Sequence, residues 1–152
     1  MKHELDATDR QIVDILQQDA RLPVKTIAEK VSLSSPTVSA RIERLQKDGV
    51  ITGYMASVNP EVFDYRIKAF INLQVEPDQK KEFYPYIEGV PNVVECDCVT
   101  GDYSMLMAVY FKTTKELDLF IGQLQHFGRT KTQIVFSTSV ERRGIPIAHQ
   151  DN

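Results

Sequence analysis

The stretch Thr26 to Gly49, TIAEKVSLSSPTVSARIERLQKDG, restricts the fold more than any other part of the chain. It reads as a short helix, a tight turn and a second helix with its own start and stop signals. Ser34 or Ser35 can accept a hydrogen bond from the free N–H groups that open a helix. Pro36 suits the first turn, where its missing N–H would have had no partner, and Gly49 suits the left-handed residue that ends the last turn. Val38, Ile42 and Leu45 recur at helical spacing and make one apolar stripe that must be buried. Thr37, Ala40, Arg41 and Arg44 lie beside that stripe and are expected to stay available. A narrow helix with hydroxyls at its start and arginines along it suits the major groove of DNA. Ser35 and Thr37 can donate to phosphate, as can the backbone N–H groups beside them. The residues expected to touch double-stranded DNA are therefore Ser35, Pro36, Thr37, Ala40, Arg41, Arg44 and Lys47.

Two further helices complete this unit. Residues 8–18 carry Ile12, Val13, Ile15 and Leu16 at helical spacing, and Pro23 opens a helix that turns Val24, Ile27, Ala28 and Val31 inward. A three-helix unit of about fifty residues is too small to be very stable alone. Its charge balances: residues 1–59 hold eight Lys/Arg and eight Asp/Glu, so the net −3 of the chain comes from the remainder. The acids gather early, at Glu4, Asp6, Asp9, Asp14 and Asp19, while Arg41, Arg44 and Lys47 sit on the third helix. Phosphate contacts are short-range at cellular salt, so a local basic face counts for more than the sum. One copy with so few cations would bind DNA weakly, which makes an oligomer the expected form.

Beyond Asn59 the pattern changes. Residues 67–76, 93–100, 103–111 and 132–140 read as strands, and helices are expected over 78–88 and from Thr114 to near His126. The order β-α-β, β-α-β is that of a split βαβ sandwich, a four-stranded antiparallel sheet with two helices on one face. The expected class is α+β: an N-terminal winged helix-turn-helix over 1–50, a β-strand wing or linker over 51–65, a ferredoxin-like βαββαβ sandwich over 66–141 and a tail over 142–152. The third strand is apolar on both faces, with Tyr103, Met105, Met107, Val109 and Phe111 on one and Leu106, Ala108 and Tyr110 on the other. Two helices cover only one face of such a sheet, so a second copy is expected on the other, giving a homodimer.

Other classes find little support. No apolar run approaches the roughly 18 residues that span a bilayer, so no membrane partner is expected. The opening MKHELDATDR is polar and acidic, unlike a secretory signal, so a cytoplasmic protein is expected. Cys96 and Cys98 lie too close along one strand for an ordinary disulfide, and His3, His126 and His149 are scattered, so the thiols are expected to be structural and no metal or cofactor is expected. No nucleophile–base pair or glycine-rich phosphate loop is present, which speaks against an enzyme.

The chain resembles the leucine-responsive regulatory protein (Lrp/AsnC, feast/famine) family of transcription regulators. The residues that carry the likeness are LDATDRQIVDILQQDAR, SLSSPTVSARIERL and GVITGY in the first half, then VTGDYSMLM and TKTQIVF, spanning Leu5 to about Val140. The resemblance implies a winged helix-turn-helix joined by a β-strand linker to a ligand-sensing domain of ferredoxin-like fold. It also implies dimers that often build octamers or larger rings, and an amino acid or related small metabolite bound between sensing domains that alters assembly or DNA affinity. One departure is visible: the segment from Gln125 to Thr132 is about two residues shorter than the family's turn before this strand, so effector identity does not carry over.

An amino-acid ligand needs acceptors for its ammonium and donors for its carboxylate. A turn at Gly101 and Asp102 exposes backbone groups and a carboxylate, and threonine hydroxyls from a neighbouring strand can add donors. The residues expected at an effector site are Gly101, Asp102, Tyr103, Ser104, Thr130 and Thr132. Two rivals remain at this point, an effector-independent architectural DNA-binding protein and a small-molecule enzyme on a ferredoxin-like domain.

Overall fold

The computed structural model describes residues 4–147, and three helices open it: α1 (Ala7–Gln18), α2 (Val24–Lys30) and α3 (Ser35–Lys47). Their start and stop signals act as the residues suggest. Asp6 caps α1 in a reciprocal box with Asp9, each side chain accepting the other's backbone N–H. Ser34 caps α3 by accepting the Thr37 N–H at 3.3 Å, and Gly49 follows the helix at φ +72°, a conformation that favours glycine. The apolar stripes converge, burying Ile12, Ile27, Ala28, Val38 and Leu45, with Val13, Leu16 and Ile42 packed around them.

These helices belong to one of two compact units. That unit is the chain up to Ser57 together with the residues from Val140 on, and the other is Val58–Ser139. The described part of the tail is held by Gln17 of α1. Its side-chain amide donates to the Ile145 carbonyl and accepts the Ile145 N–H, both at 3.0 Å. Gly144 lies so close that an added Cβ would meet the Gln17 side chain at 2.7 Å. His3, His149 and the tail beyond residue 147 lie outside the described residues.

The second unit holds β1 (Ile67–Val75), α4 (Lys80–Glu88), β2 (Val93–Cys98), β3 (Met105–Phe111), α5 (Thr114–Leu124) and β4 (Gly128–Ile134). The sheet order is β2-β3-β1-β4, antiparallel at every step, which is the expected sandwich. Ala69, Ile71, Leu73 and Val75 of β1 and Met105, Met107, Val109 and Phe111 of β3 form its core with Phe83, Ile87, Leu117, Phe120, Leu124 and Phe127. On the other face Phe70, Leu106 and Tyr110 are half-buried, and Lys68 lies over the Phe70 and Tyr110 rings.

Four expectations need correction. No strand forms over residues 51–59, and a short 3-10 turn, Pro60–Phe63, follows. A strand persists only when its N–H and C=O groups find a neighbour to pair with, and this segment is unpaired within one chain. The strand expected over 132–140 begins and ends earlier, at Gly128–Ile134. Its opening glycine, φ +152°, approaches β1 so closely that a Cβ would sit 1.8 Å from the Gln74 carbonyl oxygen. The β2–β3 connection is wider than a two-residue turn: Val99 N–H donates to the Ser104 carbonyl at 2.9 Å around residues 100–103, with Gly101 at φ +109°. Cys96 and Cys98, expected to pack structurally, are free and exposed because β2 is an edge strand. Partial burial, aided by Asp97 and Cys98, pushes the Cys96 thiol up and so keeps it protonated at neutral pH.

The two glycines of the α5–β4 region separate backbone need from helix propensity. Gly128→Ala is expected to lower stability by about 1–3 kcal/mol or more, because neither its φ nor the Gln74 contact can yield cheaply. Gly122→Ala, in α5 with nothing within 4 Å of the new Cβ, is expected to gain about 0.5–1 kcal/mol. Denaturant unfolding of both variants checks the contrast.

Candidate nucleic-acid interface and effector site

Five of the seven expected DNA-contacting residues come together. Pro36, Thr37, Ala40, Arg41 and Arg44 line an open, shallow concavity of about 520 Å³ along α3. Ser35 is half-buried and Lys47 is exposed nearer the helix end, and neither lines that concavity. The Thr37 hydroxyl is hydrogen-bonded to Ser34, 2.7 Å away, so the cap also orients it.

The arginines are not free, contrary to expectation. Arg41 Nη1 donates to Asp6 Oδ2 at 2.6 Å and to Asp9 Oδ1 at 2.8 Å, and Arg44 Nη2 donates to Asp9 Oδ2 at 2.6 Å. The acids that head α1 and the cations of α3 are one cluster of two carboxylates and two guanidiniums. Asp9 is 1% exposed and Asp6 51%, while Arg41 and Arg44 are 25% and 35% exposed. Burial alone would raise the Asp6 carboxyl, but hydrogen bonds from Arg41 and the Asp9 N–H and the charges of both arginines hold it below the usual carboxylate value. Hydrogen bonds to Asp6 and Asp9 raise the Arg41 guanidinium in turn. Asp6 and Asp9 are thus partners of the two arginines that the sequence did not reveal. The acids gather early in the chain, but their pairing with α3 is a tertiary contact.

Of the expected effector residues, Gly101, Asp102, Tyr103 and Ser104 lie on the β2–β3 connection and Thr130 and Thr132 on β4. Gly101 and Asp102 are exposed on the β2–β3 connection, and the Asp102 side chain makes no hydrogen bond or ion pair among the described residues. Ser104 is used structurally: its hydroxyl accepts the Val75 N–H at 3.0 Å and donates to the Leu73 carbonyl at 3.3 Å. Thr130 and Thr132 pair with Leu73 and Ile71, so β1 separates them from the hairpin strand, and they are not on its neighbour as expected. Arg129 was not anticipated. Its guanidinium lies 5.2 Å from the Tyr103 ring centroid and donates to Gln74 Oε1 at 3.3 Å, placing a cation beside the loop.

Known proteins match along the chain. A family model of the AsnC-type helix-turn-helix domain matches residues 5–46, and one of the Lrp/AsnC ligand binding domain matches residues 68–145. The HTH-type transcriptional regulator FL11 of Pyrococcus furiosus is 34% identical over 150 residues, covering 97% of this chain and 99% of that protein. The HTH-type transcriptional regulator LrpA of Bacillus subtilis is 31% identical over 132 residues, 86% of this chain and 97% of its own length. Among solved structures, the transcriptional regulator NMB0573 of Neisseria meningitidis in complex with L-Met has a TM-score of 0.90 at 26% identity, covering 96% of this chain and 99% of that one. AsnC of E. coli has a TM-score of 0.84 at 26% identity, covering 95% and 100%.

The ion-pair cluster predicts an acid-range dependence of stability. A carboxyl whose folded value is depressed contributes stability above its unfolded value, and that stability is lost as pH falls through the folded value. Asp6 is such a group, so its contribution is expected to be complete at neutral pH and to fade below about pH 4. Thermal melts of wild type and Asp6→Asn should differ at pH 7 and converge as the acid limb is descended.

Proposed function

The chain belongs to the Lrp/AsnC family of transcriptional regulators, and on this premise we propose how it acts. It reads double-stranded DNA with α3, through the concave face that Pro36, Thr37, Ala40, Arg41 and Arg44 line, with Ser35 and Lys47 contacting phosphates at its two ends. The observation that carries this reading is that open face on the second helix of an AsnC-type helix-turn-helix. Its DNA affinity or assembly responds to an amino acid or related small metabolite bound by residues drawn from Gly101, Asp102, Tyr103, Ser104, Thr130 and Thr132. The amino-acid complex of NMB0573 supports that ligand class. Exposed Asp102 supplies an acceptor for an ammonium group, and Arg129 a cation for a carboxylate.

The working form is a homodimer that assembles further, to an octamer. Two features support pairing. The uncovered sheet face has an apolar centre at Phe70, Leu106, Ala108 and Tyr110 among polar neighbours, as protein interfaces have. The unpaired segment after α3 also exposes Tyr54 and Met55, and Val58, Val62 and Phe63 are exposed beyond it. Two copies set two recognition helices at a spacing that half-sites one helical turn apart require. The protein acts in the cytoplasm, holds no cofactor and carries out no catalysis. Regulation is linkage: an effector that binds one assembly state better than another shifts the population of DNA-competent forms.

Arg41→Ala is expected to cost about 1–3 kcal/mol of affinity for a selected operator in fluorescence anisotropy. Wild-type affinity in that variant would remove Arg41 from the interface, and uniform coating of all DNA in a footprint would favour an architectural protein. Calorimetry across the twenty amino acids is expected to give heat with at least one, abolished in Asp102→Ala. Light scattering during size exclusion should show a species larger than one chain, with its size altered by that amino acid.

A further inference from the structure

Asp6 carries more charge than its helix-capping role needs. Its Oδ1 caps α1 by accepting the Asp9 N–H at 2.7 Å, which an uncharged asparagine or serine does equally well. Its other oxygen, Oδ2, reaches Arg41 Nη1 at 2.6 Å, the same nitrogen that Asp9 Oδ1 holds at 2.8 Å. Arg41 therefore lies between an inner carboxylate shut from water and an outer one half open to it. Both bonds fall on Nη1, so both hydrogens of that nitrogen are engaged. The Nε and Nη2 hydrogens make no bond among the described residues, and together they form the side-on fork of the guanidinium. A fork of two parallel N–H donors matches the O6 and N7 acceptors of guanine in the major groove.

Arg44 is held differently. Its Nη2 donates to Asp9 Oδ2, and that nitrogen is part of its own side-on fork. The two arginines of α3 are thus equal in charge and unequal in geometry: Arg41 is held by two bonds at Nη1, outside its side-on fork, and Arg44 by a single bond at Nη2, within it. The cluster also bears no net charge, with two guanidiniums facing two carboxylates. An arginine already compensated gains little by turning to a phosphate, since the phosphate would only replace Asp6.

We propose that Asp6 is a specificity-determining residue that, with Asp9, holds Arg41 by Nη1 and presents its Nε/Nη2 edge to a guanine in the DNA major groove. The proposal rests on the reading that α3 faces DNA, and it assigns the base read by one residue. Asp6 acts through Arg41 and touches no DNA itself. Without its charge, Arg41 keeps only the Asp9 bond and one fewer restraint against turning to phosphates, so binding to unrelated sequences rises while discrimination at the guanine falls.

The test uses the full chain and two duplexes, one enriched from random DNA by in vitro selection with the wild-type protein and one unselected duplex of the same length. In the selected duplex each guanine is replaced singly by 7-deazaguanine, which removes only the N7 acceptor. Wild type is expected to lose roughly 5- to 100-fold affinity at one guanine per half-site, and Arg41→Ala to feel no penalty there. Asp6→Asn and Asp6→Ser, both able to cap α1, are expected to lose most of that penalty. They should also bind the unselected duplex about 2- to 5-fold more tightly per helix, with a salt slope steeper by about one per helix. Thermal melts confirm that each variant is folded. A penalty undiminished in both Asp6 variants overturns the role of Asp6, and a penalty undiminished in Arg41→Ala, or absent from every guanine, overturns guanine reading. Failure of the underlying reading looks different: selection enriches nothing, or Arg41→Ala, Arg44→Ala and Lys47→Ala all bind as wild type does.

Discussion

Asp9 is a carboxylate with 1% of its side chain exposed, and the geometry of the DNA-binding unit follows from how that charge is satisfied. A buried ion without partners costs several kcal/mol. Here Oδ1 accepts from Arg41, and Oδ2 accepts from Arg44 and from the Asp6 N–H. The carboxylate sits in the first turn of α1 and both guanidiniums on α3, 32 and 35 residues further along the chain. The pairing therefore fixes where the start of α1 meets the middle of α3. Ile12, one turn beyond Asp9, is buried in the same cluster as Val38 and Leu45. Hydrophobic contact alone is non-directional; the ion pairs add direction.

The same cluster changes how the charge of this half of the molecule is understood. Equal numbers of acids and bases in residues 1–59 looked like a weak electrostatic case for DNA. Asp6 and Asp9 are not a diffuse counterweight, however. They touch the two arginines and hold them by charged hydrogen bonds. A cation already paired gains less from a phosphate than a free one, so the proposed pairing of recognition helices carries more of the proposed DNA affinity.

Local features were legible because local chemistry causes them. Ser34, Pro36 and Gly49 act within one turn of where they sit, and the stripes of α1, α2 and α3 follow from helical spacing. The sandwich was legible because period-two strands alternate with helices in one order. What escaped was tertiary or depended on pairing. The spacing of Asp6 and Asp9 marks a helix start, but nothing local says that Arg41 and Arg44 meet them. Gly128 reads as a turn residue, yet it opens β4 because only glycine fits against the Gln74 carbonyl. The linker strand failed to form because a strand needs a neighbour, and none is present within one chain. The Gln17 clasp on Ile145 is an amide-to-backbone contact, which leaves no mark in sequence pattern.

That clasp decides which unit the described tail belongs to. The DNA-binding unit is joined to the sheet unit at two places along the chain, after Ser57 and before Val140. The second junction follows β4, the strand of Thr130 and Thr132, and Ile145 is bound to α1, the helix whose first turn carries Asp9. Two hydrogen bonds with one glutamine fix the tail against α1, so chain that follows the sheet unit in sequence packs as part of the first unit. The first unit is therefore built from both ends of the chain, and its hydrophobic cluster is supplemented by a polar contact between segments 128 residues apart.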